Sequence, residues 1–89
     1  MIEKIHKCLR EKLSITHIEI DDNSSKHIGH QGNLSGGGHF SAIIVSDDFI
    51  GLPLIDRHRL VYNALGDLMK SSIHAFSMST LTSKEFEKI

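Results

Sequence analysis

The stretch "KHIGHQGNLSGGGH", Lys26 to His39, packs three histidines and five glycines into fourteen residues. Neutral imidazole is the commonest metal ligand among side chains, so His27, His30 and His39 raise a metal centre first. A stretch this long without helix or strand signals is usually functional or disordered. Its glycines give a backbone freedom that a rigid preformed metal site would not want. They suit a loop that orders when a metal arrives. A further histidine, His74, opens the alternating run "IHAFSMSTL". The seven histidines are the compositional outlier of the chain. A second cluster, Arg57-His58-Arg59, offers different chemistry. A guanidinium forks onto phosphate or carboxylate alike. Two cations at a helix start oppose the macrodipole, which points to a specific partner group, either on another molecule or on Asp47, Asp48 or Asp56 of the chain itself.

Other chemistries find little support. One cysteine, Cys8, excludes an internal disulfide and a CxxC metal knuckle. A reducing, cytoplasmic compartment is the natural expectation. Cys8 sits at the rim of an apolar helix face, where a small packing residue is expected rather than a redox centre. No P-loop, paired-carboxylate motif or Ser-His-Asp set can be identified, so catalysis is not expected. The net charge of −1 supplies no global basic field for nucleic acid or anionic lipid. No apolar run approaches the ~18 residues of a membrane span, and the first residues lack the plan of a signal peptide.

Eighty-nine residues are expected to form one domain, 1–89. Ile2, Ile5, Leu9 and Leu13 recur at helical spacing. "THIEIDD" then alternates, with Ile18 and Ile20 on one side and His17, Glu19 and Asp21 on the other. After the polar stretch from Asn23 to Gly38, "HFSAIIVS" reads as a central strand. Turn signals in "DDFIGLPL" lead to a helix over "RHRLVYNALGDLMK", with Asp56 as its N-cap. Gly66 lies inside that helix and weakens it by roughly 1 kcal/mol relative to Ala. "IHAFSMSTL" predicts a third strand with His74, Phe76, Met78 and Thr80 on one side. "SKEFEKI" predicts a short last helix capped by Ser83.

The predicted order is α-β-β-α-β-α, an α+β fold with a three-stranded mixed sheet. The first two strands run antiparallel. The third follows through a helical crossover, so it runs parallel to the second with a right-handed connection. The simplest sheet has order 1-2-3, with both long helices on one face. This topology gathers His27, His30, His39 and His74 at one sheet end. It sends Arg57, His58 and Arg59 to the other.

"FIGLPLIDRHRLVYNAL" followed by "IHAFSMSTLTSKEF" resembles the BolA family. The residues that carry the resemblance are Phe49 and Gly51, then Arg57, His58, Arg59, Val61, Tyr62 and Leu65, then Ile73, His74 and Ala75. It extends over nearly the whole chain. The resemblance implies an αββαβ fold similar to a type II KH domain. It also implies partnership with a monothiol glutaredoxin around a bridging 2Fe-2S cluster, with glutathione supplied on the partner side. In that role the histidine of the His-Ala pair, His74, is a ligand. The second ligand comes from the loop between the first two strands. That loop has no Cys, so the chain resembles the His type, with His27 as the best match, His30 as its alternative and His39 as an auxiliary donor.

Family members have also been proposed as DNA-binding transcriptional regulators linked to cell shape and stress response. The expected function is therefore a non-enzymatic adaptor of iron–sulfur cluster assembly or trafficking, folded and monomeric without metal. The rival is a DNA-binding regulator that uses the KH-like fold and Arg57, His58 and Arg59. Independent binding of zinc or copper by the clustered histidines is a third reading.

Overall fold

The computed structural model of the chain describes residues 2–23, 38–71 and 73–88. The elements run in the order α1 (Ile2–Lys12), β1 (Ile15–Asp22), β2 (Gly38–Ser46), a 3-10 turn (Asp47–Phe49), α2 (Leu54–Leu65), α3 (Leu68–Ser71), β3 (Ile73–Leu81) and α4 (Ser83–Glu87). The sheet order is β1-β2-β3, with β1 antiparallel and β3 parallel to the central β2. This is the predicted α+β architecture.

The core follows from the two periodicities. Ile5 and Leu9, one helical turn apart, place α1 on the sheet, and both are fully buried. Val61, Ala64 and Leu65 do the same for α2. The even-numbered residues of β2, Phe40, Ala42 and Ile44, face them, and Phe49 of the 3-10 turn is fully buried among them. Both long helices thus share one sheet face. The other face alternates out of phase. It carries Glu19 and Asp21 of β1, Ser41 and Ile43 of β2, and Ser77 and Ser79 of β3. The short α4 reaches that second face at one end, where Phe86 stacks on His17 with ring centroids 4.7 Å apart.

Four local expectations are corrected. The second long helix starts at Leu54, with Pro53 rather than Asp56 at the N-cap, and Asp56 lies in its first turn. Its carboxylate there favours the positive end of the helix dipole. The helix does not run through Gly66. It ends there, because Gly66 adopts φ +53°, ψ −123° while its N–H bonds to the Tyr62 carbonyl. That conformation is one that only glycine adopts without strain.

The last helix is capped by Thr82, not Ser83. Thr82 Oγ1 accepts from the Glu85 N–H, and Glu85 accepts from the Thr82 N–H, a capping box. Finally, the predicted alternation of β3 does not extend to its start. Phe76 and Thr80 are buried as expected and Met78 packs against the core, but so does Ile73, which has the opposite parity.

Candidate functional site

The parity break at Ile73 has a backbone cause. Gly38 pairs with Ile73, while the next residue of β2, His39, pairs with Ala75. Two residues of β3 therefore answer one step of β2. His74 is the extra residue, so the strand carries a β-bulge at this histidine. Bulges re-aim side chains and recur beside functional sites. A comparable slip at Thr16 lets Ile15 join Ile18 and Ile20 against the core. Thr16 donates its hydroxyl to the Val45 carbonyl there.

The sheet end containing His74 also holds His39. The His39 ring is half-buried, and its carbonyl accepts from the Asn23 N–H at 2.7 Å. The Asn23 side-chain amide donates to Ser41 Oγ at 2.9 Å. Asn23 therefore ties the end of β1 to the start of β2, with two hydrogen bonds around His39. The sequence contained no signal for this beyond an amide at a strand end. The connection that carries His27 and His30 leaves β1 and enters β2 here, and both histidines lie outside the described residues. Among the described residues no three of His, Cys, Asp and Glu gather to hold a metal ion. Cys8 is half-buried on α1.

The Arg57-His58-Arg59 cluster lies at the opposite sheet end, on the first turns of α2. Arg57 is turned inward. Its Nε donates to the Leu52 carbonyl at 2.8 Å, and one terminal nitrogen donates to the Thr80 carbonyl at 3.0 Å and to Glu85 Oε1 at 2.6 Å. The other terminal nitrogen lies 3.4 Å from Glu85 Oε2. Only 11% of its side chain is exposed. Arg57 thus joins the turn before α2, the end of β3 and α4.

Arg59 differs. Its side chain is 70% exposed, and its nearest anion is Asp56 at 3.7 Å. His58 is half-buried. The partner that Arg57 selects, Glu85, was not singled out from sequence, although the Thr-x-x-Glu spacing of Thr82 and Glu85 is a capping-box signature. The Arg57 guanidinium, followed by the Thr82 N–H, holds the Glu85 carboxyl down to about 2 from an ordinary 4.5.

Comparisons with known proteins agree with this architecture. The family model described as BolA-like protein matches residues 9–85. The DNA-binding transcriptional regulator BolA of Escherichia coli is 34% identical, over 96% of this chain and 78% of the relative. SufE-like protein 1 of Arabidopsis thaliana is 39% identical over 92% of this chain, which spans only 24% of that relative's length. Among solved structures, BolA1 from Arabidopsis thaliana superposes with a TM-score of 0.80 at 33% identity, over 96% of this chain and 94% of that one. The BolA domain of SufE1 from the same plant gives a TM-score of 0.79 at 40% identity, over 93% and 92% of the two chains. No helix of the described residues is long and apolar enough to cross a membrane. The family match over most of the chain, together with relatives of more than 30% identity and the shared fold, establishes that this chain belongs to the BolA-like protein family.

Proposed function

We propose that the chain is a non-enzymatic adaptor of iron–sulfur cluster assembly or trafficking, which binds a monothiol glutaredoxin and shares a bridging 2Fe-2S cluster with it in a reducing, cytoplasmic compartment. His74 and one histidine of the β1–β2 connection, His27 or alternatively His30, hold one iron. The partner's cysteine and its bound glutathione hold the other. The carrying observation is the meeting of three features at one sheet end: the bulged backbone of His74, His39 one register step away, and the entry of the connection bearing His27 and His30.

The donor chemistry is suitable. Two imidazoles on one iron of a 2Fe-2S centre have the Rieske precedent. Imidazole must be neutral to ligate. Two imidazoles on one iron would leave the second iron without a ligand from this chain, which makes thiolates from a partner necessary and release to an acceptor feasible. His39, held beside the site by Asn23, suits an auxiliary role.

The test combines the protein with a monothiol glutaredoxin, glutathione, ferrous iron and sulfide, followed by visible absorption and circular dichroism. His74→Ala should remain folded and lose the circular dichroism of the shared cluster. His27→Ala should weaken it less, and the His27→Ala/His30→Ala pair should match His74→Ala. An unchanged spectrum and affinity in folded His74→Ala would refute the proposal.

A second reading, DNA binding, is favoured by the relatives named DNA-binding transcriptional regulators. A KH domain clamps nucleotides with a GXXG loop, whereas "GLPL" before α2 contains Gly51 alone. With Arg57 engaged inside the fold, phosphate contacts would fall to Arg59 and His58. The discriminating variant is Arg59→Ala, which should lower the salt slope of binding by about one. Tight, sequence-selective binding near physiological salt that requires Arg59 would place this reading first.

A further inference from the structure

The bulge at His74 has an identifiable origin in three neighbours. Phe40 faces the core together with Ala42 and Ile44, and only 4% of it is exposed. Its ring leans back over Gly38, two residues earlier on the same face. A Cβ added at Gly38 would collide with Cε2 of this ring and lie 2.7 Å from Cζ. Across the ladder, Gly38 pairs with Ile73, itself 4% exposed. Gly38, Phe40 and Ile73 thus close the core at the histidine end of the sheet.

This plug determines the strand phase. Ile73 and Phe76 are both buried in one core yet stand three residues apart. An uninterrupted strand would send them to opposite faces. One extra residue between the two ladder pairs reconciles them, and it falls at His74. If Ile73 were expelled from the plug, regular pairing continued from His39 and Ala75 would bring His74 opposite Gly38 and reverse the face of the strand start.

We propose that Gly38, Phe40 and Ile73 are positioning residues for His74: the plug they form imposes the bulge and thereby sets where this histidine meets a shared cluster. The inference rests on the ligand reading of His74. Residues that orient a metal ligand typically change affinity by about 10- to 100-fold when altered.

The test uses the full chain, first without metal and then with glutaredoxin, glutathione, ferrous iron and sulfide. Gly38→Ala forces the Phe40 ring to move. Cross-strand NMR contacts for the Gly38–Ile73 and His39–Ala75 pairs should then change, and the affinity for the shared cluster should fall about tenfold, with an altered visible circular dichroism. Gly38→Ala/Phe40→Leu removes the collision and should restore both readouts. Phe40→Leu alone should keep the bulge, even if thermal stability falls.

A purely structural role would lower the melting temperature of Gly38→Ala without changing the cluster signature. That outcome, or bulge contacts that persist unchanged in folded Gly38→Ala, overturns the proposal. So does failure of the double variant to recover the bulge. If His74→Ala leaves the cluster intact, the ligand reading itself fails and positioning for it fails with it. The metal-free NMR contacts would still report whether Gly38 sets the bulge.

Discussion

Removing the Arg57 side chain is the most informative change away from the histidines. Arg57→Ala leaves two backbone carbonyls, of Leu52 and Thr80, without the cationic donor they have now. Thr80 is 2% exposed, so water cannot readily replace that donor. A hydrogen bond to a charged group contributes about 1.5–3 kcal/mol. Two such bonds, one of them at a half-buried residue, suggest a loss of about 3 kcal/mol. The Glu85 carboxylate is half-exposed and screened by solvent, so its ion pair adds little to these two bonds. For a domain of this size the loss corresponds to a melting temperature lower by roughly 12–24 °C.

The same variant should change the acid limb of stability. Glu85 has a folded-state value of about 2, below its ordinary 4.5. Its contribution is fully present above the ordinary value and is lost as pH falls through the folded one. In the parent, stability from this group should therefore decline as the pH falls from about 4.5 towards 2. In Arg57→Ala the largest cause of the depression is gone, and the decline in that window should become shallower. The assay is urea denaturation at a series of pH values. A loss under about 0.5 kcal/mol at pH 7, within the ordinary range for surface changes, would refute the clamp. The result also bears on DNA binding. Loss of binding in Arg57→Ala would not identify a phosphate contact, because the fold itself would be weakened.

Two further changes test the corrected local structure. Gly66→Ala should destabilise the protein by about 1–2 kcal/mol, since the residue sits at positive φ. Helix propensity alone predicts the opposite sign, so a gain in melting temperature would restore a continuous helix through this position. The Thr80 hydroxyl is buried and has no hydrogen-bond partner among the described residues. Thr80→Val keeps the shape and removes the unpaired group, and should stabilise by about 1 kcal/mol in thermal denaturation. A loss of stability would reveal a hydrogen bond to this hydroxyl.

Elements whose periodicity is local are legible in the residues alone. Ile5 and Leu9 one turn apart dictate the first helix, Ile18 and Ile20 dictate β1, and the helix between β2 and β3 makes those two strands parallel. The family pattern around Arg57, His58, Arg59, His74 and Ala75 was equally legible, because it consists of residue types at fixed spacing. Features that depend on neighbours distant in the chain emerge only from packing. Whether Arg57 faced a ligand or the fold depended on Thr80 and Glu85, 23 and 28 residues away. The Thr82 cap did have a local signature, yet the value of Glu85 became visible only with Arg57 beside it.

Gly66 illustrates the same boundary, since glycine weakens a helix interior and favours a helix end alike, and where the chain turns was settled by packing. The bulge at His74 is the clearest case. The sequence shows an apolar residue, a histidine and a small residue before Phe76, which a regular strand would alternate between faces. Burying Ile73 against the same core as Phe76, with Phe40 resting over Gly38, forces one residue out of register. Burial of apolar surface outweighed one missing ladder step, and that balance exists only once β2 and β3 lie side by side.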